Sequence, residues 1–189
     1  MVRKKIKMKF DFFTLDKLDS YPLIKDVVIH SIKVNRDKRG ILVETLKNDW
    51  IDVYNSVKMP FAQNYYSKTP PGEARDIDQW HYHPKKQIDR FVVVSGDIIV
   101  ALYDWRKNSK TKRKLNLFKM GESNGDNGQY LLLIPQNVLH GFQVNGVKEA
   151  IILNFPTTLY DPAEEGRVRF EDVKFNDGSV FSWENVERE

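Results

Sequence analysis

Residues 90–104 read Arg90-Phe-Val-Val-Val-Ser-Gly96-Asp97-Ile-Ile-Val-Ala-Leu-Tyr-Asp104. Both halves of this stretch are short apolar runs rich in β-branched residues, which favour strands. The Gly-Asp pair between them is typical of a tight turn and predicts a hairpin. The stretch therefore predicts two consecutive strands, Arg90–Ser95 and Ile98–Asp104.

Similar short runs follow one another from Pro60 onward, separated by turn-forming stretches such as Lys68-Thr-Pro-Pro-Gly72. Many short strands with few helices are typical of an antiparallel sandwich or barrel. Besides the two strands above, the pattern predicts strands over 61–66, 79–83, 115–119, 130–134, 139–144 and 150–155.

The first 60 residues carry helical signals. Thr14 is a candidate N-cap for a short helix that begins at Leu15. The apolar residues from Trp50 to Val57 follow helical spacing and predict an amphipathic helix over 49–57. We expect a single domain over 1–189, with an N-terminal arm (1–60), a barrel core (61–156) and a C-terminal extension (157–189).

Composition excludes several classes of protein. Of the 189 residues 41% are hydrophobic, no apolar run approaches the length of a membrane helix, and there is no cysteine. Disulfide scaffolds, cysteine nucleophiles and thiolate metal sites are therefore excluded. The basic start, 1–10, lacks the apolar stretch of a secretory signal, so we expect a cytoplasmic protein without membrane association.

The net charge of +4 depends on one short segment. Without the five basic residues at positions 3–9, the chain has 25 basic and 26 acidic residues. A second basic run, 107–114, lies among turn formers and is expected to be an exposed loop. The two runs are local, and no face combines basic and aromatic residues, so nucleic-acid binding is not expected.

Three of the four histidines fall in the predicted β region. His81 and His83 are two residues apart on one strand, so their side chains leave the same face. Asp89 precedes Gly96, and His140 follows Pro135 on a later strand. This pattern resembles the two motifs of the cupin superfamily, which are all-β double-stranded β-helices, or jelly-roll barrels.

In a cupin barrel two histidines from one strand, an acid from the next and a histidine from a facing strand converge. Imidazoles and a carboxylate suit Zn, Fe, Mn or Ni. His81, His83, Asp89 and His140 are therefore one candidate set of ligands for a divalent metal. The alternative is that these side chains line the barrel and form hydrogen bonds with one another.

Several motifs in series resemble one cupin branch, the dTDP-4-dehydrorhamnose 3,5-epimerases. They are Asp37-Lys-Arg39-Gly40-Ile-Leu-Val-Glu44, Phe61-Ala-Gln63-Asn64, Gln87-Ile-Asp89-Arg90 with its strand to Gly96, Ile134-Pro135 with His140-Gly141-Phe142, and Tyr160-Asp-Pro162 with Glu165. The resemblance spans roughly residues 30–175. It implies a jelly-roll homodimer whose sites borrow residues from the partner chain.

The resemblance also implies a reaction and roles for residues. The family removes a proton next to the C4 ketone of a nucleotide-linked sugar and returns it to the opposite face, with no cofactor. The base falls on His81, in the motif His81-Tyr82. The nucleotide-binding positions fall on Arg39, Glu44, Gln63 and Asn64. Arg75, His140, Asn154 and Tyr160 complete the expected binding set.

Three departures alter the expected catalytic set. The family's lysine, which stabilises the enolate, falls on Asp89, where a carboxylate would repel the developing oxyanion unless it is protonated or holds a metal. The tyrosine that acts as acid on the far side falls on Asn154. The aspartate that orients the histidine has no counterpart.

Three functions remain open from the sequence. The first is a nucleotide-sugar epimerase or ketoisomerase of altered specificity, with His81, Asp89 and Tyr82 as the catalytic set. The second is a metal-dependent cupin enzyme that catalyses isomerisation or oxygenation, with His81, His83, Asp89 and His140 as ligands. A hybrid of the two requires Tyr82 or another group as base, because a metal-bound His81 cannot take a proton. The third is a cupin that binds sugar nucleotides without catalysis.

Overall fold

Strands dominate the part of the chain that the computed structural model describes, residues 11–186. The strands are β1 (Phe12–Phe13), β2 (Val28–Ser31), β3 (Val34–Asp37), β4 (Gly40–Val43), β5 (Tyr65–Thr69), β6 (Ala74–Arg75), β7 (Gln79–Tyr82), β8 (Asp89–Ser95), β9 (Asp97–Asp104), β10 (Leu115–Gly121), β11 (Tyr130–Ile134), β12 (Val138–Val144), β13 (Ala150–Asn154) and β14 (Gly166–Arg169). Short 3-10 helices span Leu15–Ser20, Glu122–Gly128, Pro162–Glu164, Phe170–Asp172 and Trp183–Asn185. The basic segment at 3–9 lies outside the described residues.

Two sheets face each other and form the predicted jelly-roll barrel. The larger has the order β1-β10-β9-β12-β7-β14, with β6 beside β12, and the smaller has the order β2-β11-β8-β13-β5. All these strand pairs are antiparallel except β1 with β10. A separate hairpin, β3–β4, belongs to neither sheet.

The hairpin predicted at Gly96-Asp97 is wrong, although the turn is present. Strand β8 pairs with β11 and β13, whereas β9 pairs with β10 and β12, so the chain crosses between sheets at Gly96. Gly96 has a φ of 74°, and a Cβ atom there would lie 2.3 Å from the carbonyl oxygen of Glu149. Only glycine fits this close approach and positive φ without strain.

Strands β9 and β11 are buried on both faces, which explains why they are almost entirely apolar. On β9, the side chains of Ile98, Val100 and Leu102 pack between the sheets. The intervening Ile99 and Tyr103 point outward and pack under the C-terminal segment that includes Phe181. A strand covered on both faces reads as a continuous hydrophobic run instead of an alternating one.

The two helices predicted in the N-terminal arm have different outcomes. A 3-10 helix, Leu15–Ser20, begins after Thr14 as predicted. The helix predicted over 49–57 is wrong, because this segment forms successive turns that end in an isolated bridge between Asn55 and Met59. Val53 of this segment is fully buried under the smaller sheet, whereas Val57 is 84% exposed.

Arg90 anchors residues 53–60 in their non-helical path. Its guanidinium is fully buried and donates hydrogen bonds to the carbonyl oxygens of Val53, Met59, Pro60 and Phe155. These carbonyl groups converge on one buried cation, which holds the segment in the turns that the structure shows. The arginine thus fixes the outer segment against β8.

The sheets extend beyond the range 61–156 that was expected for the core. Strand β2 joins the smaller sheet beside β11, and β14 joins the larger sheet beside β7. The basic run 107–114 forms the turns between β9 and β10. Among the described residues, the structure has no helix that is both long and apolar enough to cross a membrane.

Candidate active site

A cavity of about 370 Å³ lies between the two sheets and is lined by residues of both. Strand β7 and β12 contribute from the larger sheet, and β5 and β8 contribute from the smaller one. Seven of the residues predicted for the site line it, namely Gln63, Arg75, His81, His83, Asp89, His140 and Tyr160. Most of the residues that line the cavity are polar, and Phe91 and Phe142 contribute apolar surface.

The three histidines predicted to converge do so. Their ring centroids lie 4.7 Å (His81 to His83), 5.0 Å (His81 to His140) and 5.6 Å (His83 to His140) apart. One nitrogen of each ring can be chosen so that all three lie within 4.8 Å of one another. The prediction that His140 comes from a facing strand is wrong, because His140 is the register partner of His81 on the adjacent strand.

Asp89 comes from the opposite sheet and forms the centre of a buried network. Its carboxylate lies 2.9 Å from Nε2 of His83 and 3.5 Å from Nε2 of His140. It also accepts hydrogen bonds from the amide groups of Gln87 and Asn154, at 2.9 and 3.0 Å. These partners surround a side chain that is only 3% exposed.

The ionisable groups in this network shift one another's pKa values. Burial opposes ionisation of Asp89, but the hydrogen bonds and charges of His140 and His83 hold its pKa well below the ordinary value. Burial likewise opposes the charge on His83, yet Asp89 and the carbonyl oxygen of Glu164 raise the pKa of His83 above 6.5. Asp89 is therefore an anion, and its pairing with His83 favours the protonated form of that imidazole.

A turn over 84–87 makes this pairing possible. The backbone amides of Lys85, Lys86 and Gln87 donate to the carboxylate of Glu164 at 3.0–3.3 Å. Glu164 thereby fixes the connection between His83 and β8, and its backbone oxygen accepts from His83. Glu164 was not among the predicted residues, since no local pattern links position 164 to a turn 78 residues earlier.

His81 lies between two carboxylates that the sequence analysis also did not assign. Its Nδ1 is 3.9 Å from Asp76, and its Nε2 is 3.7 Å from Glu165. Arg167 contacts both carboxylates and neutralises part of their charge. Burial, together with the charges of His140, His83 and Arg167, lowers the pKa of His81 to about 2, so its imidazole is neutral.

Asn154 and Tyr65 form the wall on the smaller sheet. Asn154 is 2% exposed and donates from Nδ2 to the hydroxyl oxygen of Tyr65 at 2.8 Å. Tyr65 lines the cavity, although sequence reasoning did not select it. The strand register identifies Tyr65, because it places this residue opposite Asn154.

Two predicted residues point away from the cavity. Tyr82 leaves the opposite face of β7 from His81, and its ring packs against Trp105 and Gly166. The alternation of side chains along a strand makes this necessary once His81 faces inward. Asn64 is exposed and does not line the cavity. The prediction of Tyr82 as a catalytic residue is therefore corrected.

Two other residues that were predicted for the site lie on or beside the β3–β4 hairpin. Arg39 is paired with Asp37 at the tip of the hairpin, and its side chain is 83% exposed. Glu44 follows β4 and contacts Lys47. Within the described chain, neither residue lines the cavity that contains His81.

Comparisons with known proteins identify relatives. The family model for dTDP-4-dehydrorhamnose 3,5-epimerase matches residues 22–182. A probable low-salt glycan biosynthesis epimerase, Agl13, of Haloferax volcanii is 40% identical over 147 residues, which cover 76% of this chain and 87% of that protein. The spore coat polysaccharide biosynthesis protein SpsL of Bacillus subtilis is 34% identical over 163 residues, with coverage of 84% and 99%.

Among solved structures, a dTDP sugar isomerase from Desulfovibrio desulfuricans has the same fold. It superposes with a TM-score of 0.73 over 87% of this chain and 95% of that chain, at 24% identity.

The His83–Asp89 pair makes stability depend on pH. Because the folded state raises the pKa of His83, it retains a proton that the unfolded chain loses near pH 6.5, and the free energy of unfolding falls as pH rises through the raised pKa. We expect Asp89→Asn to lower this free energy by about 3 kcal/mol at about pH 6 and to flatten its decline above about pH 6.5. Urea denaturation between about pH 5 and 9 measures both effects.

Asp52→Asn is the matched control, since Asp52 pairs with His30 on the surface. Exposed pairs contribute little to stability, so this variant should follow the wild type. A wild-type slope in Asp89→Asn would contradict the pairing.

Proposed function

Since this chain belongs to the dTDP-4-dehydrorhamnose 3,5-epimerase family and is thus a sugar epimerase, we propose that His81 is its catalytic base. In this proposal the substrate is a nucleotide-linked 4-keto-6-deoxy sugar bound in the cavity between the sheets. The imidazole of His81 removes the proton next to the ketone. The observation that carries the proposal is a neutral histidine in the cavity with a carboxylate beside each ring nitrogen.

The surroundings of His81 support this role. A base needs a free lone pair, and the lowered pKa keeps the imidazole unprotonated before substrate binds. Asp76 and Glu165 then stabilise the imidazolium that forms, at 3.9 and 3.7 Å. Binding of an anionic diphosphate beside the ring raises the pKa of His81 and makes it a stronger base. Asp76, beside Nδ1, takes the place of the orienting aspartate that the sequence lacked, and Nε2 accepts the substrate proton.

The developing enolate needs positive charge close to its oxygen. We propose that His83 supplies it from the cavity wall in its protonated form, which Asp89 favours. This pairing also removes the conflict raised by a carboxylate at position 89. Arg75 lines the same cavity, where a guanidinium suits a phosphate group of the substrate.

The proposed reaction needs no cofactor, because a proton leaves and returns without any change in oxidation state. We place the residues as follows: Gln63, Arg75 and Tyr160 contact substrate, and His140 and Asn154 position Asp89. The cytoplasm is the proposed location.

Loss of the base gives the direct test. We expect His81→Asn to reduce turnover by about 10²- to 10⁴-fold, the usual contribution of a general base. The assay incubates the protein with dTDP-4-keto-6-deoxyglucose in D₂O, and mass spectrometry follows deuterium entering the carbons next to the ketone.

His30→Asn is the control, since His30 lies away from the cavity beside Trp50 and Asp52. It should exchange deuterium at the wild-type rate. Wild-type exchange in His81→Asn would refute the base, and no exchange by the wild type would refute the reaction.

We further propose a homodimer in which the β3–β4 hairpin completes the site of the partner. The hairpin stands apart from both sheets, and its apolar residues Ile41 and Leu42 are 66% and 63% exposed. Exposed apolar side chains of this size are typical of an interaction surface. Arg39 at the hairpin tip would then bring its guanidinium to the nucleotide of the neighbouring chain, together with Glu44.

Complementation tests this arrangement. Arg39→Ala and His81→Asn should each be inactive alone. Mixed after unfolding and refolding together, they should regain about a quarter of the wild-type activity, because half of the dimers are mixed and each mixed dimer has one intact site. Activity no higher than that of the separate variants would show that Arg39 acts within its own chain or not at all.

A second candidate function is a metal-dependent isomerase, favoured by the cluster of His81, His83 and His140. Three imidazoles with ligand atoms within 4.8 Å of one another suit a divalent ion of the Zn, Fe, Mn or Ni type. A metal there would act as a Lewis acid on the ketone. It would compete with Asp89 for Nε2 of His83, and His81 would no longer be free to accept a proton.

Metal content separates the two candidates. Elemental analysis after incubation with Zn, Fe, Mn and Ni compares the wild type with His83→Ala and with the control His30→Ala. The metal-dependent function requires about one ion per chain in the wild type and the control, and loss of the ion in His83→Ala. Equal metal content in all three proteins refutes it.

A further inference from the structure

Epimerisation requires an acid on the side of the sugar opposite the base, and Asn154 cannot supply the proton. We propose that the acid is Tyr65, on the strand next to Asn154. This inference rests on the proposed function, since it assumes that His81 removes the first proton. It assigns to β5 the role that the family resemblance gave to position 154 on β13.

The first support is position. Tyr65 and Asn154 are register partners on adjacent strands, so their side chains leave the same face of the smaller sheet. Both Tyr65 and His81 line the cavity, but His81 belongs to the larger sheet. A sugar ring bound between the sheets therefore has the imidazole on one face and the phenol on the other.

The second support is the orientation of the Asn154 amide. Its Oδ1 accepts a hydrogen bond from the backbone amide of Arg90 at 3.0 Å, which turns Nδ2 towards Tyr65 and Asp89. Nδ2 then donates to the Tyr65 hydroxyl at 2.8 Å and to the Asp89 carboxylate at 3.0 Å. The Tyr65 oxygen is thus an acceptor in this bond, and its own proton remains available to the cavity.

The third support is protonation state. Burial, with the negative charges of Asp89 and Glu165, raises the pKa of Tyr65 to about 12, and the bond from Asn154 only partly offsets this. The phenol is therefore protonated at neutral pH. An acid must hold its proton until the carbanion forms, and Tyr65 meets that condition.

The complete step balances. His81 takes the proton as the bond between carbon and hydrogen breaks, and the electron pair moves to the ketone oxygen. Tyr65 then gives its hydroxyl proton to the same carbon from the opposite face, and the ketone re-forms. The imidazolium of His81 loses its proton to solvent, and the phenolate of Tyr65 regains one from solvent.

Tyr65→Phe separates the two half-reactions. In D₂O with dTDP-4-keto-6-deoxyglucose, we expect the variant to exchange the proton through His81 with retention of configuration. Formation of the epimer should fall by about 100-fold or more. Mass spectrometry measures deuterium, NMR spectroscopy measures the epimer, and binding of dTDP reports that the site is folded.

Tyr66→Phe is the matched control, because Tyr66 is the next residue of β5, is 68% exposed and does not line the cavity. It should exchange and epimerise like the wild type. Wild-type epimerisation by Tyr65→Phe would overturn the assignment while leaving the proposed function intact. If Tyr65→Phe still binds dTDP but loses both deuterium exchange and epimerisation, the assignment is also overturned. Tyr65 would then be needed for the first proton transfer. Absence of exchange in the wild type itself would refute the proposed function.

Discussion

The negative charge of a carboxylate buried inside a protein must be compensated by other groups. Most of the candidate site follows from how this chain compensates the charge of Asp89. Two imidazoles and two amides surround it, drawn from β12, β13 and the connection before β8. Each partner is thereby fixed in orientation, because a buried anion left unpaired costs several kcal/mol. The network joins the two sheets through charge within the cavity between them.

The histidine cluster could be predicted from the sequence because its cause is local. Residues two apart on a strand share a face, so His81 and His83 had to point the same way. The role proposed for Tyr65 could not be predicted in this manner. It depends on the register of β5 against β13, which places position 65 opposite position 154. Asp76 and Glu165 reach His81 in the same way, through the folding of distant segments.

Two errors in the fold have a common physical origin in burial on both faces. Ser95-Gly96-Asp97 resembles a hairpin turn because apolar runs flank it. Strands that are buried on both faces are apolar in either case, whether two consecutive strands pair with each other or belong to different sheets. Trp50, Val53 and Val57 have helical spacing, yet only the first two contribute to a buried layer. Arg90 accounts for the path of that segment, since it donates a hydrogen bond to the carbonyl oxygen of Val53. This contact joins residues 37 positions apart, so the local spacing of apolar residues does not indicate it.

The division of the site between two sheets has a consequence for stereochemical fidelity. If base and acid belong to different sheets, the spacing between them is set by the side chains packed in the core, including Val100 of the larger sheet and Leu132 of the smaller. With looser packing there, His81 would still remove the proton, but the carbon would more often regain a proton on its original face. The ratio of inversion to retention then becomes a reporter of core rigidity, and evolution can adjust the outcome at a carbon centre through residues that never meet the sugar.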